Sequence, residues 1–170
     1  MHRDCPEHIR VRLRAVQVRY IAMCGDIEIG TLIVDERLVG DIEAIFALAL
    51  CIEYRFTSIV PIHVYNWDDT LSMSANNSSG FNYRCVEGTY ELSLHAFGMA
   101  VDLNPLRNPM IMRGVMHPAC GIADTNHESS LFPDHPIVIR FKELGWTWGG
   151  DWTEPYDPHH FQKDLRTAAI

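Results

Sequence analysis

Ser93-Leu-His95-Ala-Phe-Gly98-Met-Ala100-Val-Asp102 is the stretch on which the reading of this chain turns. Residues 99–103 are apolar apart from Asp102 and read as a strand carrying that carboxylate. Side chains alternate along a strand with a period of two, so His95 and Asp102, seven positions apart, would point to opposite faces if the chain ran straight. It must therefore bend, and Gly98 is the residue that permits it. His95 becomes a loop residue beside a strand-borne Asp102. A second stretch, Trp148-Gly-Gly-Asp151-Trp152 running into Asp157-Pro-His159-His160-Phe161, supplies another imidazole and another carboxylate. Two imidazoles and a carboxylate, His95, His160 and Asp102, are a set that holds zinc with one position open to water. Asp157, three residues before His160, is then placed to take that water's proton.

The flanking sequence builds a frame for these motifs. The run from Ile9 to Ile21 alternates apolar and charged residues, Ile27 to Val34 is a second β-rich run, and Cys24-Gly25-Asp26 between them signals a hairpin turn. Arg10, Arg12, Arg14 and Arg19 fall on the solvated face of the first strand. Asp35 stands as an N-cap, and Leu38, Ile42, Ile45, Phe46 and Ala49 recur at helical spacing. Residues 58–65 form a short β-rich run and residues 66–82 a long polar loop, with Asp68-Asp69 as solvated loop carboxylates. The stretch from 104 to 132, broken by prolines and glycines, reads as an irregular excursion. Pro136, Ile137, Phe141, Leu144 and Gly145 mark a second helix from start to stop. Trp146 to Trp148 and His160-Phe161 read as edges of the same sheet. The expected architecture is α+β, one domain over residues 1–170 with a mainly antiparallel sheet and flanking helices.

Composition limits the function. A length of 170 residues suits one well-buried domain. The formal net charge of -8, with no cluster of Lys and Arg, excludes nucleic acid as the main partner, because phosphate binding needs such a cluster. No run approaches the roughly 18 apolar residues of a membrane span. The first residues lack the basic and apolar segments of a secretory leader, so the expectation is synthesis in the cytoplasm without a signal peptide. Five widely spaced cysteines without a Cys-x-x-Cys pair read as reduced, mostly packing thiols.

The composite pattern Ser-x-His-x-x-Gly-x-Ala-x-Asp, then Trp-Gly-Gly-Asp-Trp and Asp-x-x-His-Phe, resembles the M15 family of zinc peptidases that act on bacterial cell-wall peptides. The resemblance spans residues 58–162. It implies a Hedgehog/DD-peptidase-like fold and hydrolysis of peptidoglycan peptides, as a D-alanyl-D-alanine carboxypeptidase or an endolysin-like L-alanyl-D-glutamate endopeptidase. It implies zinc on His95, Asp102 and His160, Asp157 as general base, and Arg84 as the contact to the substrate carbonyl or carboxylate. The implied partners are stem peptides or muropeptides, reached through lysis or a specialised secretion route.

Each of these residues also has a plainer reading. Singly, a His or Asp in a soluble domain is usually a surface or packing residue; only the combination points to a metal. Ser93 either contacts substrate or caps local backbone. His159 is expected to face solvent or substrate, and Asp151 to organise the turn between Trp148 and Trp152. Cys85 beside Arg84 lacks a legible His/Asn partnership for thiol catalysis. The competing function is a non-hydrolytic zinc-containing binding module of the same fold, since fold alone does not fix activity. Retention of Asp157 separates the two, because a structural zinc site needs no base.

Overall fold

The alternating run near the start of the chain forms a long antiparallel hairpin. In the computed structural model, which describes residues 4–166, a short helix α1 (Glu7–Arg10) precedes β1 (Leu13–Ala22) and β2 (Ile27–Asp35). The strands pair from Leu13 opposite Asp35 to Ile21 opposite Ile27. Val16, Val18, Tyr20, Leu32 and Val34 turn inward, while Arg14, Gln17 and Arg19 face solvent. The strand begins later than expected. The Pro6 carbonyl accepts from the Ile9 and Arg10 N–H groups and closes a helical turn, which buries Ile9 beside Cys5, Leu13 and Phe81. Arg10 thus lies in α1, and Arg12 pairs with Asp35.

Asp35 ends β2 and caps the next helical segment. Its carboxylate accepts from the Arg37 N–H at 3.0 Å, closing a 3-10 turn over Glu36–Leu38 that runs into α2 (Val39–Cys51). Ile42, Ile45, Phe46 and Ala49 form the buried stripe of α2 at helical spacing. Next come β3 (Arg55–Phe56), parallel to β1, and β4 (Ser58–Ile59), parallel to β5 (Asn77–Ser78). Between them lie a 3-10 turn over Ile62–Tyr65 and helix α3 (Asp69–Ser74), where the Asp68 carboxylate accepts from the Leu71 N–H at 3.0 Å. The polar stretch 66–82 is therefore not a loop. Residues 76–82 are all buried, because their amides satisfy backbone inside the protein: Asn77 exchanges two 2.9 Å bonds with the Val60 backbone, and Asn76 Oδ1 accepts from the Leu106 N–H at 2.9 Å.

The chain continues as β6 (Ala100–Asp102), a small hairpin of β7 (Met110–Met112) and β8 (Val115–His117), helix α4 (Pro136–Glu143), β9 (Thr147–Trp148) and β10 (His160–Gln162). The expected single sheet resolves into two sheets of three strands, β2-β1-β3 and β6-β10-β9, and the two-stranded pairs β4-β5 and β7-β8. The hairpin β7-β8 lies within the stretch expected to be irregular, and its Arg113-Gly114 turn has positive φ at both residues. The result is mixed α and β structure with several small sheets and few helices, in keeping with an α+β architecture. Among the described residues no helix is long and apolar enough to cross a membrane.

Helix α4 shows how local signals and packing agree. His135 caps it, its Nδ1 accepting from the Ile137 N–H at 3.2 Å, and burial holds that imidazole down at about 4, which keeps the nitrogen an acceptor. Gly145, at φ 83°, ends it, with the Trp146 N–H bonded back to the Phe141 carbonyl. Phe141 stacks on Phe161 of β10, ring centroids 4.1 Å apart. Asp41 of α2 accepts from Trp146 Nε1 and Lys163 Nζ, both at 2.8 Å, and ties the flanks of β9 and β10 to the first half of the chain. One apolar cluster, from Val16 to Phe161, runs through both three-stranded sheets.

Asp35 is nearly inaccessible at 1% exposure. Burial opposes its charge, but Arg37, with Nε at 2.8 Å and Nη2 at 2.9 Å, and Arg12, with Nε at 3.1 Å, outweigh it and hold the carboxyl below the usual carboxylate range. A carboxyl depressed on folding contributes stability that is complete above its unfolded pKa near ~3.9 and lost as pH falls through the lower folded value. Asp35→Asn is expected to cost about 1–3 kcal/mol at pH 7. Urea denaturation at pH 7 and pH 3 should show the gap to the native protein narrowing in acid; a gap that stays constant contradicts this account.

Candidate metal centre

The bend expected at Gly98 is built as a 3-10 turn over Leu94–Phe97, and each end of the turn has a physical cause. Ser93 caps its start, Oγ accepting from the His95 N–H at 3.3 Å. Gly98 closes it at φ 67°, where a Cβ would lie 2.7 Å from the Asp35 amide nitrogen. Only glycine fits both the left-handed backbone and that approach to β2. The turn is thereby clamped to the first hairpin, with the Asp35 N–H donating to the Gly98 carbonyl at 2.9 Å.

Asp102 and His160 meet for a simpler reason. They are direct partners across the antiparallel β6-β10 pair, where facing Cβ atoms stand about 4.5–5.5 Å apart. Alternation along β10 sends Phe161 into the core and leaves His160 and Gln162 on the other face. His160 Nδ1 lies 3.0 Å from Asp102 Oδ1, His95 Nε2 lies 3.3 Å from Asp102 Oδ2, and the two ring nitrogens are 3.2 Å apart. All three side chains are buried, at 3%, 6% and 9% exposure for His95, Asp102 and His160.

The donor set fits a cation. His95 Nδ1 is 2.7 Å from the Gly80 carbonyl, which can only accept, so that nitrogen carries the hydrogen and Nε2 presents a lone pair. His160 Nε2 is 3.0 Å from Gln162 Oε1; with that oxygen as acceptor, Nδ1 presents its lone pair as well. Two imidazole lone pairs and a carboxylate thus converge, their candidate ligand atoms all within 4.8 Å of one another. Such a cluster of buried acceptors repels itself unless a proton or a metal ion sits among them. The electrostatics show the same demand. Burial raises the carboxyl of Asp102, but His95, His159 and His160 outweigh it and hold it well below the usual range. Burial opposes charge on His160, and the Asp102 carboxylate overrides it, raising the imidazole to about 9.

Asp157 reaches this cluster on a loop fixed by the second motif. The Asp157 N–H donates to the Gly149 carbonyl at 3.0 Å, and Trp148 Nε1 donates to the Pro158 carbonyl at 2.8 Å. A Cβ on Gly149 would lie 2.4 Å from the Asp157 carbonyl oxygen; the glycine is there because two stretches of backbone touch. Asp157 Oδ1 is buried and has no hydrogen-bond donor, although His159 Nε2 stands 3.0 Å away. This buried carboxylate oxygen, accepting no hydrogen bond and with His159 Nε2 as its near neighbour, lies beside the three convergent side chains.

The structure corrects several expectations. His159 does not face solvent: it is 3% exposed, its Nδ1 lies 2.7 Å from the Asn108 carbonyl, and it packs against both Asp157 and Asp102. Asp151 does not organise backbone between the tryptophans; it is exposed and pairs with Lys142 at 2.8 Å. Four of the five free cysteines are exposed and only Cys5 is buried, so the thiols are not mostly packing groups. Ser93 acts as a cap. Arg84 is not among the convergent ligands; its guanidinium pairs with Asp69, which also accepts from Asn82 Nδ2 at 3.0 Å. The Arg84 backbone still touches the site's frame, its carbonyl accepting from the Ser93 N–H at 3.1 Å. Sequence reasoning missed Gly80, Gln162 and Asn108 as partners of the three histidines. Gln162 was within reach of it, since a residue two places along a strand shares a face with His160.

Comparison with known proteins gives a similarity over part of the chain. Residues 87–163 match the D-alanyl-D-alanine carboxypeptidase model of the M15 peptidases. No curated protein and no solved structure matches the chain. The matched segment contains Ser93, His95, Asp102, Asp157 and His160, and begins three residues after Arg84. The similarity to the M15 peptidases thus covers the segment that carries the candidate metal residues.

Proposed function

We propose that the protein is a zinc-dependent peptidase that hydrolyses peptidoglycan stem peptides, at a D-alanyl-D-alanine or an L-alanyl-D-glutamate bond. The observation that carries this reading is the convergence of His95 Nε2, His160 Nδ1 and the Asp102 carboxylate beside the buried Asp157 carboxylate. Zinc held by those three residues supplies a Lewis acid for the scissile carbonyl and a water of lowered pKa. The two nitrogens already bonded, to Gly80 and Gln162, orient the ligating imidazoles. Asp157 Oδ1 accepts the proton of the attacking water and returns it to the leaving amine. His159, anchored on Asn108, packs against Asp157 and limits its rotation. Arg84, held by Asp69, is assigned to the developing oxyanion, for which a permanently charged guanidinium is suited.

The competing reading, a binding module that keeps the metal without hydrolysis, gives no chemical use to a second buried carboxylate, Asp157, beside the candidate ligands. Incubation of the zinc-loaded protein with purified muropeptides, followed by mass spectrometry, decides between them and identifies the bond. Release of D-alanine or of an endopeptide product is expected, and loss of both on chelation; no product from the loaded protein sinks the enzyme reading.

Two variants test the assignments. Asp157→Asn is expected to lower turnover by about 10²–10⁴-fold while zinc still raises the melting temperature; cleavage at the native rate would refute the base. Gly149→Ala, by displacing the Asp157 backbone, should lower kcat by roughly 10²-fold with zinc binding retained, whereas unchanged kcat would show that the close contact has no bearing on the base.

A further inference from the structure

A closed ring of bonds surrounds the turn that carries His95, and it passes through the Arg84 guanidinium. The Asn82 N–H donates to the His95 carbonyl at 3.1 Å, and Asn82 Nδ2 donates to Asp69 Oδ1 at 3.0 Å. Asp69 Oδ2 pairs with Arg84 Nη2. The Arg84 carbonyl accepts from the Ser93 N–H at 3.1 Å, and Ser93 Oγ accepts from the His95 N–H at 3.3 Å, which returns the ring to its start. The backbone bonds in this ring fix only the Arg84 main chain. Its long side chain, 33% exposed, would otherwise sample many rotamers. Asp69 removes that freedom, and Asp69 is itself anchored. It opens α3, which the Asp68 cap begins and which Asn77 Nδ2, donating to Ser72 Oγ at 3.0 Å, ties to the buried segment 76–82.

Asn82 shows that the ring is kept at the expense of the fold. It is 2% exposed. A carboxylate only accepts, so the amide must turn Nδ2 towards Asp69. That orientation leaves Asn82 Oδ1 buried with no partner among the described residues, and Arg84 Nε is buried and unpartnered as well. Unbonded buried polar atoms destabilise a protein, and each one in a native structure calls for a reason. Packing supplies none here. Holding one guanidinium beside the turn of a candidate metal ligand does.

We propose that Asp69 is a positioning residue. Clamped by Asn82, it holds the Arg84 guanidinium at a fixed place relative to the His95 turn, where the cation meets the oxyanion of the tetrahedral intermediate. This rests on the peptidase reading above, in which Arg84 serves the oxyanion, and adds what sets its place. A cation oriented before the reaction stabilises developing charge without reorganising at that moment.

The test is a double-mutant cycle of Asp69→Asn and Arg84→Gln on the zinc-loaded protein, with purified muropeptides as substrate. Asp69→Asn should lower kcat by about tenfold, because the guanidinium is displaced, with KM near native and zinc still raising the melting temperature. Asp69→Glu should recover part of the loss, since it restores the charge. The double variant should be no slower than Arg84→Gln alone. A role confined to stability would lower the melting temperature, leave kcat unchanged and add to the effect of Arg84→Gln. Native kcat in Asp69→Asn, or losses that add in the double variant, overturns the proposal. Calorimetric binding of phosphinate analogues of the two candidate dipeptides, whose tetrahedral anion replaces the scissile carbonyl, separates this from the peptidase reading. If the native protein cleaves no muropeptide, the peptidase reading falls. Phosphinate binding that Asp69→Asn weakens, with no further loss in the double variant beyond Arg84→Gln, still upholds the positioning of the anion contact. Binding that is absent, or equal in the native protein and Asp69→Asn, removes it.

Discussion

The pairing of β6 with β10 is the constraint on which the remainder of the site depends. It places His160 directly opposite Asp102 and sends Phe161, between His160 and Gln162, into the core. A slip of one residue would exchange these faces, burying an imidazole among Phe141 and Trp148 and pushing an aromatic ring into the site. The register is held from both ends, by the Leu103 N–H on the His159 carbonyl and by the Lys163 N–H on the Met99 carbonyl, each at 3.0 Å. Burial of Phe161, worth roughly 1.5–3 kcal/mol, therefore stabilises the ligand geometry as well as the core. Packing and chemistry sit on opposite faces of the same three residues.

The described residues of the first half of the chain supply none of the candidate ligands, yet they hold the frame of the site. Gly98 lies against the backbone of Asp35, and the Phe81 N–H donates to the Ile33 carbonyl at 2.8 Å. These contacts press the His95 turn and the Gly80 carbonyl, which orients His95, onto one edge of the hairpin. Asp35 joins β2, the start of α2 and the α1–β1 connection through Arg37 and Arg12. One buried carboxylate thus couples the stability of the hairpin to the position of the turn that carries His95.

Electrostatics give the centre its direction. Within a few ångströms lie Asp102, Asp157 and three imidazoles, nearly all removed from water. Such a set is costly when empty of positive charge and well satisfied by a divalent cation.

The candidate ligands His95, Asp102 and His160 were read from two distant motifs taken together, whereas local pattern alone determined the hairpin, the two longer helices with their starts at Asp35 and Pro136, and the bend at Gly98. These were readable because periods of 2 and 3.6 residues, and the demands of glycine and proline, act within a few positions of the chain. Residues 66–82, His159, Asp151 and Arg84 were decided only by tertiary structure. A polar side chain is buried or exposed according to partners far away in sequence: Asn77 by Val60, His159 by Asn108, Arg84 by Asp69. Splitting the expected sheet into two has the same origin, since strand pairing joins segments that no local period connects. What a residue is could be read from the chain, and what satisfies it could not.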